Sequence, residues 1–235
     1  MVYAQVVRGT FLERPNRFIA NVQIGDQIET VHVKNTGRCR ELLIPGASVI
    51  LEKAVNPARK TAFSLVGVYK GRRLINMDSQ APNAVVYEAL AGNNIKGIMA
   101  NSIKREVVFG NSRFDLCFEM GGRLCYMEVK GVTLESGGIA RFPDAPTQRG
   151  AKHIRELIAA KERGYGAYIL FLVQMAGISE FQPNWETDEA FALTLCRGRQ
   201  AGVEILAYDS LVEENKMEIG REVYTRLSRY GGESD

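Results

Sequence analysis

Three side chains near the middle of the chain, Asp115, Glu128 and Lys130, have the types and spacing that phosphate chemistry uses. They fall in SRFDLCFEMGGRLCYMEVKG, residues 112–131, where two alternating runs flank Gly121-Gly122 in the pattern of a β-hairpin. A two-residue turn fixes the register. If Met120 faces Arg123, Asp115 stands opposite Glu128 and Arg113 opposite Lys130. On the other face Phe114 meets Val129, Leu116 meets Met127 and Phe118 meets Cys125, an apolar surface that packs on a core. Like charges directly opposed destabilise a strand pair, and a divalent cation between the two carboxylates would remove that repulsion. Hard oxygen ligands suit Mg²⁺ (or Mn²⁺), which keeps several waters for a phosphate substrate. Lys130 shares the face of Glu128 and could touch a metal-bound water or the charge of a transition state. Glu88, on a helix before the hairpin, is a candidate third carboxylate. A solvated hairpin face of mixed charge accounts for the same spacing. A second Glu-x-Lys, Glu214-Asn215-Lys216, stands in a polar tail with no assigned role.

A second set lies in FPDAPTQRGAKH. Thr147 caps a long helix, and Arg149 falls in its first turn, where the macrodipole disfavours a cation unless an anion binds there. His153, four residues on, shares the face of Arg149. An exposed arginine tolerated at a helix start is the competing account.

These residues need elements to position them. Up to about Asp78 the chain reads as short strands at 3–8, 18–24, 28–33, 48–53, 62–69 and 72–76, separated by Gly, Pro and Asn. That many short strands in so few residues fit a small closed barrel. Ser79-Gln80-Ala81-Pro82-Asn83 marks a boundary, giving domains 1–80 and 81–235, with Asn83 as N-cap of a helix ended by Gly92. Strands at 102–109, 112–119 and 123–130 follow as a meander. Then come the helix from Thr147 to about Arg163, a buried strand in YILFLVQM, a helix near 187–200 and a strand at 203–208. Such an order is an α/β layer on a mixed sheet, α+β when the barrel is included. The segment 212–227 reads as a peripheral helix, and 231–235 as a frayed end.

Composition bounds the function. The 235 residues are 46% hydrophobic and 24% charged, and no apolar run approaches the ~20 residues that span a membrane. The first residues lack the build of a secretory signal, so the expected location is cytoplasmic. Cys39, Cys117, Cys125 and Cys196 show no C-x-x-C spacing, and the only histidines are His32 and His153, which argues against structural zinc. Net charge is +3, yet residues 1–80 hold 12 Lys/Arg against 6 Asp/Glu while the rest hold 18 against 21. A basic first third fits a polyanion partner, or is a fluctuation of surface charge.

With these motifs assembled, the chain resembles the PD-(D/E)XK nuclease superfamily and, from end to end, the sugar fermentation stimulation protein family. The stretches that carry the likeness include GTFLERPNRF, VHVKNTGRCRELLIPG, APNAVVYEAL, SRFDL, MEVKGVTL, FPDAPTQRGAKHIREL and GVEILAY. The resemblance implies an N-terminal OB-like β-barrel, a restriction-endonuclease-like mixed-sheet α/β domain and a DNA-binding role. It carries Glu88, Asp115, Glu128 and Lys130 onto the superfamily's active-site positions, and Thr147, Arg149 and His153 onto the motif after the third core strand. Phe114, where the superfamily name has proline, is a departure without chemical consequence in a metal-ion scheme.

Two functions follow from this. One is a Mg²⁺-dependent DNA nuclease in which Asp115 and Glu128, with Glu88 or the Val129 carbonyl, hold the metal. Lys130 then serves the attacking water and Arg149 the phosphate. The other is a DNA-binding regulatory protein affecting sugar-metabolism genes without cutting. In it Arg8, Arg14, Arg17, Lys34, Arg38, Arg40 and Arg72 track phosphates, and Phe11 and Phe18 either stack on bases or fill the barrel core. Phosphate chemistry does not specify the sugar, so RNA stays open beside DNA, as does oligomeric state, a homodimer included.

Overall fold

In a computed structural model that describes every residue except Thr36, Arg38, Pro57 and 230–235, the first strands wrap into a barrel. They are β1 (Val6–Asn16), β2 (Ile19–Ile24), β3 (Gln27–Val33), β4 (Ser48–Lys53), β5 (Phe63–Lys70) and β6 (Arg73–Asn76). Neighbours pair in the order β3-β2-β1-β4-β5-β6, and a parallel contact of His32 with Ser64 and Val33 with Leu65 closes five of them into a ring. Closure shortens the free edges of those strands. Phe11, Val22, Val31, Val33, Val49, Leu51 and Leu65 fill the interior. The first strand extends well beyond the expected 3–8 because register shifts after Phe11 and Glu13 break the period-two pattern that would mark its length.

Beyond the barrel come α1 (Ala81–Ala91), β7 (Asn101–Phe109), β8 (Ser112–Met120), β9 (Arg123–Val132), β10 (Glu135–Ser136) and β11 (Ile139–Phe142). They are followed by α2 (Gln148–Glu162), β12 (Gly166–Val173), β13 (Glu180–Pro183), α3 (Glu189–Gln200), β14 (Glu204–Glu213), β15 (Lys216–Glu222) and β16 (Tyr224–Thr225). The main sheet runs β15-β14-β12-β9-β8-β7, with β9, β12 and β14 parallel. Every residue of β12 is buried, as a strand covered on both faces must be. Helix α1 covers one face through Val85, Val86, Ala89 and Leu90, against Leu116, Phe118, Met127 and Leu170. Helix α2 covers the other through Ile154, Leu157 and Ala160, in an apolar cluster that continues into the barrel. Among the described residues no helix is long and apolar enough to cross a membrane.

Two expectations are corrected. Helix α1 starts at Ala81 with Gln80 as its N-cap, because Pro82 fits the first turn, where its missing N–H costs nothing. Asn83 therefore does not cap. The segment 212–227 is not helical: β14 turns at Glu214-Asn215 and returns as β15, pairing Val212 with Met217 and Glu213 with Lys216. A bridge between Val2 and Lys216 and the bond from Tyr3 N–H to the Asn215 carbonyl (2.8 Å) hold the first residues on this edge.

Candidate active site

The hairpin of β8 and β9 has the expected register. Gly121 and Gly122 adopt φ of 57° and 75°, the left-handed pair that a tight two-residue turn needs. Met120 pairs with Arg123, Cys117 with Tyr126 and Leu116 with Met127, where the ladder ends. Past that point the Val129 N–H donates to Asp115 Oδ2 at 2.8 Å. Phe114 leaves the face of Leu116 and Phe118. It packs against Phe109, Tyr126 and His153, at 5.9, 5.6 and 6.4 Å between ring centroids, and so does not meet Val129 across an apolar face. Both hairpin faces are buried, Leu116, Phe118, Cys125 and Met127 in the α1 cluster, Cys117 and Tyr126 in the α2 cluster. The charges therefore occupy one end of the hairpin, where the strands part, and not a whole face.

At that end the side chains interlock. Asp115 Oδ1 accepts from Asn83 Nδ2 of α1 at 2.8 Å. Glu128 is 2% exposed. Its Oε1 accepts from Lys130 Nζ at 2.5 Å and is in hydrogen-bond contact with Nδ1 of His153, from α2. Its Oε2 is buried and has no hydrogen-bond partner. Arg149 Nε–H reaches His153 Nε2 at 3.4 Å, so the proton of that imidazole lies on Nδ1 and points to Glu128. Thr147 caps α2 by accepting from Gly150 N–H at 3.0 Å.

The two carboxyls are driven apart electrostatically. Burial, and then the charge of Glu128, raises the Asp115 pKa above its ordinary value, although the Val129 N–H and Lys130 oppose the shift. Burial also penalises ionised Glu128, but the bond from His153 and the ammonium of Lys130 outweigh it and lower its pKa. One carboxylate is thus held charged while its neighbour is reluctant to ionise without a further cation. The donor set agrees. A buried, unpartnered carboxylate oxygen beside a second carboxylate suits a hard divalent cation that brings its own waters. Among the described residues no three His, Cys, Asp or Glu converge into a metal cage, so an ion here would rest on Asp115 and Glu128.

Glu88 is not brought to this cluster. Its half-exposed carboxylate pairs with the Met1 amine at 2.5 Å, because its place five positions after Asn83 turns it about 140° around α1. Asn83 is the α1 residue that reaches Asp115. Sequence reading missed it, since the only local signal is an asparagine in a first turn with nothing to cap.

The basic barrel is partly committed to internal contacts. Arg14 donates to the carbonyls of Arg17, Asn35 and Gly37 at 2.7, 2.7 and 2.8 Å. Lys34 pairs with Glu52 and Asp78, each at 2.9 Å, and Arg8 with Glu214 at 2.5 Å. Arg40 and Arg72 are exposed. Arg17 lies over the ring of Phe18, 4.7 Å from its centroid; Phe18 is 46% exposed, whereas Phe11 is in the barrel core. Arg38 lies outside the described residues.

Residues 80–216 match the family model described as the sugar fermentation stimulation protein RE domain, and residues 12–77 the one described as the SfsA N-terminal OB domain. A sugar fermentation stimulation protein homolog of Alkaliphilus oremlandii is 54% identical over 229 residues, 95% of this chain and 97% of that one. The homolog of Clostridium beijerinckii is 52% identical over 220 residues, 93% and 96% of the two chains. The solved structure of Pyrococcus furiosus SfsA in complex with Ca²⁺ superposes with a TM-score of 0.88 at 29% identity, covering 96% of this chain and 98% of that one.

Proposed function

The chain belongs to the sugar fermentation stimulation protein family, and from that premise we propose that it is a DNA-binding protein with a Mg²⁺-dependent phosphodiesterase site. The observation that carries this reading is the buried, unpartnered Oε2 of Glu128, beside Asp115 and with Lys130 on its other oxygen. Asp115 and Glu128 hold the cation, Mg²⁺ (or Mn²⁺). When bound, it supplies charge stabilisation at a phosphoryl oxygen and a more acidic water. Lys130 is fixed by Glu128 next to the reacting phosphate, where its ammonium orients the water and balances developing charge. Arg149, at the start of α2, holds the phosphate with help from the helix dipole. His153 keeps the Glu128 carboxylate in one orientation. The relative from Pyrococcus furiosus, described as a Ca²⁺ complex, lends support because Ca²⁺ and Mg²⁺ share a preference for oxygen ligands.

Cleavage of single-stranded, duplex, flapped and branched DNA with Mg²⁺ or Mn²⁺ tests this. Wild type should cut at least one substrate, and Lys130→Ala and Asp115→Asn should each lose about a hundredfold or more in rate. Equal cleavage by wild type and variants, or none on any substrate, rejects it.

A second reading, a regulatory protein that binds DNA near sugar-metabolism genes without cutting, draws on two observations. Glu88 is paired with Met1, away from the cluster, and the Arg17–Phe18 pair is exposed on the barrel. Salt-sensitive DNA binding with no turnover in the same assays selects it.

A further inference from the structure

A cavity of about 380 Å³ lies between the barrel and the sheet. Asn35 and Ser79 line it from the barrel side, and Gly131, Thr133, Asp144 and Thr147 from the other. It begins one residue beyond Lys130 and ends two residues before Arg149. It also sits at the carboxyl ends of parallel strands β9 and β12, where open α/β sheets place their ligands. We propose that this cavity seats an unpaired nucleoside of the bound DNA, so that single-stranded or flapped DNA, and not intact duplex, is the ligand. The proposal rests on the nucleic-acid reading above and names its substrate class.

Three features lead there. The volume is that of a small-molecule site and admits a base and its sugar but no paired segment. Among the described residues the lining carries one cation and one anion, Arg141 and Asp144, and Asn35, Thr133 and Thr147 supply uncharged polar groups. Lys130 and Arg149 stand next in the chain to this lining, which divides the labour: cations for the phosphate, neutral polar groups for the nucleoside. Finally, the cavity is closed from two sides. At Gly37 of the barrel a Cβ would come within 2.8 Å of Asp144 Oδ2 and 2.9 Å of Asn35 Oδ1, so the barrel loop lies against the loop before α2 and a side chain at 37 would have to displace those two side-chain ends. A base can enter such a space only after leaving its stack.

The test is fluorescence anisotropy of the full chain, in the Lys130→Ala background with Mg²⁺, against a labelled oligothymidylate and a blunt duplex of equal length. Ala145 lines the cavity, so Ala145→Trp should fill it and weaken single-strand binding about tenfold, the worth of one well-held base. Ala145→Ser should bind as the parent does, and the duplex should bind more weakly than the single strand and ignore both changes. Thr133→Leu, which removes a polar group while keeping the volume occupied, checks the result should the tryptophan variant melt early. Duplex binding equal to single-strand binding, no single-strand binding at all, or indifference of the single strand to both cavity variants overturns the proposal. If the cavity variants act as expected but wild type cuts nothing, the nuclease reading fails and the cavity assignment stands. If wild type cuts and the variants do not matter, the reverse holds.

Discussion

A carboxylate that is to hold a cation has to present one oxygen and be restrained by the other, and Glu128 is arranged that way. His153 and Lys130 both engage Oε1, leaving Oε2 buried and open to a further partner. Removing the imidazole leaves Lys130 alone to orient the carboxylate, and lysine is a mobile point charge without directional preference. His153→Ala should therefore weaken Mg²⁺ binding by about 10–100-fold, the usual cost of losing an orienting partner, while His153→Gln, which retains an N–H donor, should recover most of it. Calorimetric titration with Mg²⁺ measures this directly; equal affinity in all three proteins means that His153 only packs. At this scale the sequence was informative where local geometry is rigid. A Gly-Gly turn leaves one register, so the approach of Asp115 and Glu128 was legible. The tie from Asn83 to Asp115 spans 32 residues and was not, and neither was the helical phase that turns Glu88 toward Met1. Nor was the parting of the strands beyond Leu116, which puts Phe114 on the unexpected face, because a strand end carries no periodic signal.

At the scale of elements, the position of Arg149 depends on how α2 begins, and that start is fixed by a neighbouring helix. Asp188 caps α3 by accepting from Phe191 N–H at 2.9 Å, and its other oxygen accepts from Thr147 N–H at 2.7 Å. One carboxylate thus fastens the N-termini of both helices. Asp188→Ala should cost about 1–2 kcal/mol, at the upper end for a lost cap because two N–H groups lose their acceptor. Thr147→Ala, which removes one cap bond, should cost less; a thermal melt in which Asp188→Ala is no worse than Thr147→Ala refutes the shared-cap argument. The Thr147 cap was legible from sequence, since a threonine before a periodic apolar run is a local signal. The β14–β15 hairpin was not. Its charged residues alternate with Met217 and Ile219 too briefly to display a period of two, and it is pairing with β14 and the first residues of the chain that decides for a strand. Gly220 fits that outcome, since a Cβ there would stand 2.2 Å from Asp209 Oδ1.

Across the whole molecule, the barrel and the sheet act as one unit because apolar and charged contacts cross between them. The barrel interior and the α2 face share a continuous apolar cluster. Gln174, at the end of β12, donates to the Asn76 and Asp78 carbonyls at 3.1 and 3.0 Å, gripping the chain that leaves the barrel. A charged contact is made by Glu135, nearly buried, which takes Arg73 at 2.9 Å and Lys70 at 3.1 Å from the barrel and Gly138 N–H at 2.8 Å from its own turn. Burial alone would raise its pKa, but the Gly138 bond and the two cations lower it below the ordinary 4.5. A carboxyl depressed on folding contributes stability that is fully present above its unfolded pKa and is lost as pH falls through the folded one. Glu135→Gln should therefore lower the melting temperature at neutral pH by about 2–4 °C. The gap to wild type should close as the solution is acidified below 4.5, where protonated Glu135 and glutamine are alike in charge. Melts of both proteins across that range decide the matter. A gap that persists unchanged in acid would assign the loss to packing, and no gap at neutral pH would mean that the Glu135 carboxylate adds nothing to the joining of the two halves. The cavity assigned to an unpaired nucleoside lies on this same junction. Glu135→Gln should therefore weaken single-strand binding at neutral pH, where it also lowers the melting temperature; unchanged binding by a variant whose melting temperature has fallen would mean that the cavity does not depend on this junction.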